Sequence, residues 1–394
     1  MLLKHFSSAN AMRIKKYGYL IFLVPMCIPA MSYFMGQSDW VQAGGYSTLV
    51  AAFGFFLVLA GGPILDIIVG KDPVNPEPDN EQMLSGQMYY KALTLACLPL
   101  LAICIFSSAY MLLQWEELSL LGQILFALST GLVGGIVGIN VSHELIHKNT
   151  QLEKVSGGLM LSLVCYAGFK VEHIYGHHIH VSTPQDASSA RLGQSLYQFL
   201  PRAYKENFLN AWKLQKTRLA KKGQSAFSVH NELIWYYSFS VLVSLLMGAF
   251  FEFFGGSFLM GVAFFYLQSF MAFTLLEIIN YIEHYGLHRN KNEKGKYERV
   301  NILHSWNSNF LLTNMFLFQL QRHSDHHAFA ARRYQVLRHH EESPQLPLGY
   351  AGMIVIALIP PLWKAIMNPK VKAYYKDEPT ATNELQLNEK ASMG

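Results

Sequence analysis

Six uncharged, apolar stretches constrain this chain more than anything else in it: residues 17–38, 41–65, 92–114, 118–142, 233–251 and 253–276. A helix that crosses a bilayer needs roughly 20 apolar residues, because the hydrocarbon core is about 30 Å thick and each helical residue rises about 1.5 Å. Charged residues make up only 14% of the chain, against about 25% in an ordinary soluble domain. The expected fold is therefore an all-α membrane protein with six transmembrane helices and a cytoplasmic region of helices and loops. The first run is too long for the apolar part of a signal peptide and lacks a small-residue cleavage site, so it reads as a helix. Cys27, Cys97, Cys104 and Cys165 all fall in apolar runs with no CxxC pair, which makes them small buried hydrophobes and not disulfides or thiolate ligands.

The net charge of +5 is modest, but its placement orients the chain. Arg13, Lys15 and Lys16 precede the first run; a basic series from Lys148 to Lys222 lies between the fourth and fifth; Arg289, Lys291, Lys294, Arg322, Arg332, Arg333 and Arg338 follow the sixth. The short connections at Asp39, Glu116–Glu117 and Glu252 are acidic. The positive-inside rule then puts both termini and both long polar segments in the cytoplasm. No basic–aromatic repeat points to nucleic acid. The expected divisions are transmembrane helices in 1–147, a cytoplasmic segment in 148–230, a helical pair in 231–287, a second cytoplasmic segment in 288–372 and a polar tail in 373–394. The proline-rich stretch 71–82 reads as a cytoplasmic loop. Two shorter apolar runs, 155–169 and 350–363, read as interfacial or re-entrant, the second because Pro360 and Pro361 break it.

Nine of the 16 histidines fall into four groups with helical spacing. HELIH supplies His143 and His147, EHIYGHH supplies His173, His177 and His178, NYIEH ends on His284, and HSDHH supplies His323, His326 and His327. Residues three or four apart share one helix face, so each group is expected to aim its rings at one point. The topology places all four groups at the cytoplasmic membrane surface. Neutral imidazole suits zinc, copper, iron and nickel, and a hard magnesium or calcium site is excluded by ligand type. Nine rings are too many for one metal and fit two irons with positions left open for oxygen. Glu144, Glu172, Glu283 and Asp325 adjoin these histidines and Glu277 lies below His284; they are expected to orient the rings by accepting their second N–H. His180, His230, His288, His304, His339 and His340 read as capping or interfacial residues, and His5 as terminal.

The segments HELIHK (143–148), EHIYGHHIHVSTPQDASSAR (172–191), NYIEHYGL (280–287) and LQRHSDHHAFAARRYQ (320–335) resemble those of the membrane alkane 1-monooxygenases. HSWNSN at 304–309 is similar too, and the likeness runs from about Tyr17 to Lys372. Ala187 and Ser188, after Asp186, and His288, after HYGL, depart from the usual family spelling without touching a ligand position. The resemblance implies six transmembrane helices of a bacterial inner membrane and a non-haem di-iron centre held on the cytoplasmic side by the same nine histidines. It implies terminal hydroxylation of medium or long n-alkanes with O2. It also implies electrons from a separate rubredoxin, reduced by an NAD(P)H-dependent rubredoxin reductase.

An alkane has no polar handle, so selectivity for the chain end must come from the shape of an apolar channel. Phe53, Phe55, Phe56, Ala60, Gly61 and Gly62, with Gly131, Gly134, Gly135 and Gly138, are the candidates for its lining, although small residues equally serve helix packing. Arg289, Lys291, Lys294, Arg332 and Arg333 are candidates for a surface that meets an acidic electron donor, or for membrane anchors. Three other readings compete. A desaturase or xylene-type side-chain hydroxylase would use the same ligands, a metal transporter would place its site near the midplane, and a zinc protease built on HELIH would leave six of the nine histidines unexplained.

Overall fold

The computed structural model describes residues 8–376; the expectations for His5 and for the tail beyond 376 lie outside them. Among the described residues the chain is helical, with isolated bridges and no strand. Helices α1 (Asn10–Met26) and α2 (Ile28–Gly36) form one run bent by 43°. Next come α3 (Phe53–Val69), α4 (Met88–Leu113), α5 (Leu120–Ile146), α6 (Gln151–Leu163), α7 (169–180), α8 (Leu196–Ala220), α9 (Glu232–Phe253) and α10 (Phe258–His284). Four short helices follow: α11 (Leu311–Phe316), α12 (His323–Ala328), α13 (Tyr350–Ala357) and α14 (Pro360–Tyr374).

α4, α5, α9 and α10 are each long and apolar enough to cross a membrane, and the bent pairs α1–α2 and α13–α14 raise the candidates to at most six. The run 41–65 is not the single helix expected of it. It breaks into Asp39–Ala43, Ser47–Ala51 and the shorter α3. The cause is the Gly44–Gly45 pair: Gly45 takes φ +69°, a backbone state open to glycine that ends a helix. Pro360 and Pro361 do break the run 350–363, which turns by 119° between α13 and α14. The other short run, 155–169, overlaps α6, which packs against α5, α9 and α4.

α5 and α10 form the centre of the bundle, and their glycines explain how close they come. A methyl group added at Gly131 would overlap the Gln268 carbonyl, and at Gly134 and Gly135 it would stand 3.0 Å from Ala272 Cβ and 2.8 Å from Leu275 Cδ2. Gly138 faces Leu101 of α4 at 2.9 Å. These glycines therefore serve helix approach first, as small residues do in membrane bundles. They also let α5 open into a π-helical turn over Gly134–Ile139. The extra residue in that turn resets the face that the following Asn140–Ile146 segment presents.

Outside the bundle, ion pairs tie the polar segments down. Arg322 Nη2 and Lys15 Nζ both reach Asp72 Oδ2, at 2.8 and 2.6 Å, and all three side chains are buried. Arg322 also donates to the Leu337 carbonyl at 2.7 Å. Burial pushes the Asp72 carboxyl up, and the two cations more than offset this and hold it below its ordinary value. Arg333 pairs with Glu153, and Arg332 with Asp325 and Glu81. Arg289 is buried and donates to the carbonyls of Ile179 and Glu298. Of the five cations expected to form a docking surface, only Lys291 and Lys294 are exposed. Asp66 accepts from the backbone N–H and the hydroxyl of Thr313, which fastens α3 to α11.

Candidate metal centre

All nine histidines converge beneath the polar segments, but they do not gather group by group. One set is His143, His147, His173, His178 and His326; the other is His177, His284, His323 and His327. Within each set the nitrogens lie within 4.8 Å of one another. The HELIH pair stays together. The other two multi-histidine groups split, and local helix geometry gives the reason. Residues 173–177 form a π-helical turn, whose i→i+5 bonding brings 173 and 178 to one face. His173 Nε2 accordingly meets His178 Nε2 at 3.0 Å, while His177 Nε2 meets His327 Nε2 at 3.2 Å. On α12, neighbours diverge by about 100° because a turn holds about 3.6 residues. His327 Nε2 therefore turns to His323 Nε2 at 2.9 Å and His326 Nε2 to His178 Nε2 at 3.1 Å. Each doublet, 177–178 and 326–327, sends one ring to each set.

These spacings suit a metal. Two imidazole nitrogens at right angles on an ion, with bonds of about 2.1 Å, stand about 3.0 Å apart. His143 Nε2 and His147 Nε2 are buried with no hydrogen-bond partner, which is costly unless something else occupies the position. Burial first, and the crowd of neighbouring rings second, push His147, His173, His178, His323, His326 and His327 far below the ordinary imidazole range. They are thus neutral, the form that binds metal. The donor set fits a metal centre of two positions, one with five histidines and one with four.

The groups behind the rings differ from expectation. His177 Nδ1 donates to Asp186 Oδ2 at 2.9 Å, and the Ser189 hydroxyl donates to the same oxygen at 2.6 Å. Burial raises the Asp186 carboxyl, but His177 and Ser189 outweigh it and hold it at about 2. The sequence reading passed Asp186 over; the clue was a buried-looking acid in STPQDASS, nine positions after His177, beyond the reach of helical spacing. Glu283 Oε2 lies 3.1 Å from His323 Nε2, the nitrogen that faces the four-histidine set, and its other oxygen accepts from the Tyr350 hydroxyl. Glu144 instead pairs with Lys148 at 3.0 Å and accepts from the Tyr334 N–H. Asp325 pairs with Arg332 and His340 and accepts from the Arg338 N–H. Glu277 takes three donors, the Tyr166 hydroxyl and the amides of Asn207 and Asn280. Glu172 is buried beside Gly176, and burial, with Asp186 and Glu277 near, pushes it well above the carboxylate range. His288 stacks on Tyr375 at a ring separation of 4.2 Å, away from both sets.

Asp186→Asn is expected to lower metal affinity or turnover by about 10- to 100-fold, since the carboxylate fixes the His177 ring and raises its basicity. Metal titration of the purified variant measures this; unchanged affinity and rate would show the contact to be idle.

Below the histidines lies an apolar cavity of about 190 Å3, lined by residues of α1, α3, α5, α10, α11 and α13, among them Val58, Gly62, Gly135, Ile136, Leu275 and Ala351. Gly62 and Gly135 belong to the lining expected from sequence. Phe53, Phe55, Phe56, Ala60, Gly61, Gly131, Gly134 and Gly138 do not; Gly131 and Gly134 face α10 and Gly138 faces Leu101 of α4 instead. A smaller cavity next to it touches His143, Glu144 and His326, and the two share Asn140 and Leu320.

The fatty acid desaturase family model matches residues 118–357. Alkane 1-monooxygenase 2 of Pseudomonas aeruginosa is 55% identical over 94% of this chain and 96% of its own length. Alkane 1-monooxygenase 1 of the same organism is 54% identical over 96% of each. Alkane 1-monooxygenase 2 of Alcanivorax borkumensis is 53% identical over 93% of this chain and 94% of its own.

Proposed function

The chain belongs to the alkane 1-monooxygenase family, within the wider fatty acid desaturase family, and from that premise we propose that it hydroxylates n-alkanes at the terminal carbon with a non-haem di-iron centre. The nine histidines are the ligands in this reading, five on one iron and four on the other. The reaction balances as alkane, O2, two electrons and two protons giving 1-alkanol and water. The irons would supply oxygen activation. The chain's own residues do the rest: the rings hold the metals, Asp186 orients His177 through Nδ1, the nitrogen turned away from the set, Glu283 stands at the metal-facing side of His323, and the cavity excludes water and presents a chain end. One observation carries the reading: the apolar cavity shares Asn140 and Leu320 with the smaller cavity that touches His143 and His326. Such a cavity has the shape for a substrate without polar groups.

Electrons come from a separate protein, a rubredoxin served by an NAD(P)H-dependent reductase. This chain has no cysteine-rich or dinucleotide-binding motif to replace it. Of the five cations expected to form a docking surface, Lys291, whose ammonium lies over the Tyr297 ring, and Lys294 are the exposed ones that could meet an acidic donor. The excess of Lys and Arg in 148–222 and after 288 supports a cytoplasmic site in a bacterial inner membrane.

The test is elemental analysis of the detergent-purified protein together with product analysis after reduction through rubredoxin. About two irons per chain and 1-decanol from decane are expected. A lone zinc, or an alkene or internal alcohol as the main product, would refute the reading. Val58→Trp and Ala351→Trp fill the cavity and should shift the preferred substrate to shorter chains. An unchanged chain-length profile in both would remove the cavity from the substrate path.

A further inference from the structure

The main cavity carries three polar side chains, Asn140, Thr313 and Tyr350. Thr313 is spent on Asp66 and Tyr350 on Glu283, each through its hydroxyl. Asn140 is different: its side chain is 94% buried, being 6% exposed, and its amide nitrogen has no hydrogen-bond partner. It lines both cavities, with the apolar lining on one side and His143 and His326 on the other. The π-helical turn that ends at Ile139 places it there. From that point 140, 143 and 147 follow helical spacing along one face, so Asn140 lies one turn deeper than the first histidine. The carboxylate nearest in sequence, Glu144, is already held by Lys148 and the Tyr334 N–H.

A buried donor with nothing to bind is a liability for a purely structural residue. An alkane cannot relieve it, since no C–H group accepts. Once oxygen stands on the terminal carbon, an acceptor arrives at the mouth of the cavity. We propose that the Asn140 amide donates a hydrogen bond to the hydroxyl of the 1-alkanol, and so favours the oxygenated chain end over the alkane at the histidine cluster. This rests on the alkane hydroxylation reading above. The contact is made only after oxygen insertion has begun, and interactions of that kind raise rate without tightening substrate binding.

The metal-loaded protein in nanodiscs is challenged with labelled decane and competitors, each corrected for partition into empty nanodiscs. In the wild type 1-decanol is expected to compete about 5- to 10-fold better than undecane, which matches its length without the hydroxyl. Asn140→Leu keeps the number and branching of side-chain heavy atoms and removes the donor; it should erase most of that advantage, with decane self-competition within about twofold and metal content unchanged. Asn140→Ala repeats the measurement should the leucine variant lose its metal. Equal competition by 1-decanol and undecane in the wild type overturns the proposal, and so does an advantage that survives in the variants, as it would if the amide only held a fixed water. Product analysis on the same wild-type preparation separates the two levels. Failure to form 1-decanol sinks the functional reading, whereas formation of 1-decanol with an Asn140-independent advantage sinks this inference alone.

Discussion

His326→Ala is expected to leave about one metal ion per chain, and His323→Ala to leave about one as well, but at the opposite position. His326 belongs to the five-histidine set and His323 to the four-histidine set. Each loss exposes no new ligand, because the remaining rings are already turned inward at separations near 3 Å, as in the 2.9 Å contact of His323 with His327 and the 3.1 Å contact of His326 with His178. Oxygenation needs both positions, so activity should fall by more than about 100-fold in either variant. Changes behind a ligand already cost about 10- to 100-fold. Metal analysis combined with a spectroscopic probe of iron separates the outcomes. If both variants lose both metals, the two sets form one cooperative unit and the partition has no consequence for binding. If both retain two, the histidines concerned are not ligands.

Arg322→Met should destabilise the protein by about 3–5 kcal/mol, the cost of taking one partner from a buried ion cluster and leaving Asp72 to Lys15 alone. Arg322 and Asp72 are both buried, and the guanidinium also donates to the Asn75 side chain and to the carbonyls of Leu337 and Val74. This one side chain joins the loop after α3 to the segments on either side of α12. Because Arg322 immediately precedes His323, its loss should loosen α12 and lower metal retention. Thermal unfolding in detergent measures the first effect. Adding Asp72→Asn takes the carboxylate from the buried Lys15, so the double variant should recover little of the loss. A single variant as stable as the wild type would show that Lys15 alone satisfies Asp72.

The sequence by itself determined the four long apolar helices α4, α5, α9 and α10, the nine histidines that come together and the likeness to the alkane 1-monooxygenases. Each of these is written locally, in runs of about 20 apolar residues or in spacings of three and four. Even the doublets 177–178 and 326–327 carried a hint of two positions, since neighbours on a helix cannot face the same way. The tertiary structure decided which ring goes where. The π-helical turn at 173–177 pairs His173 with His178 instead of His177, and the one at 134–139 turns Asn140 and Gly135 to the cavity while other glycines pack against α10. It also placed Asp186 behind His177 and drew Glu144 and Asp325 away to Lys148, Arg332 and His340. The physical reason is the same throughout. Helical periodicity predicts faces only while the helix stays regular, and partners far apart in the chain are chosen by burial and charge once the helices have packed.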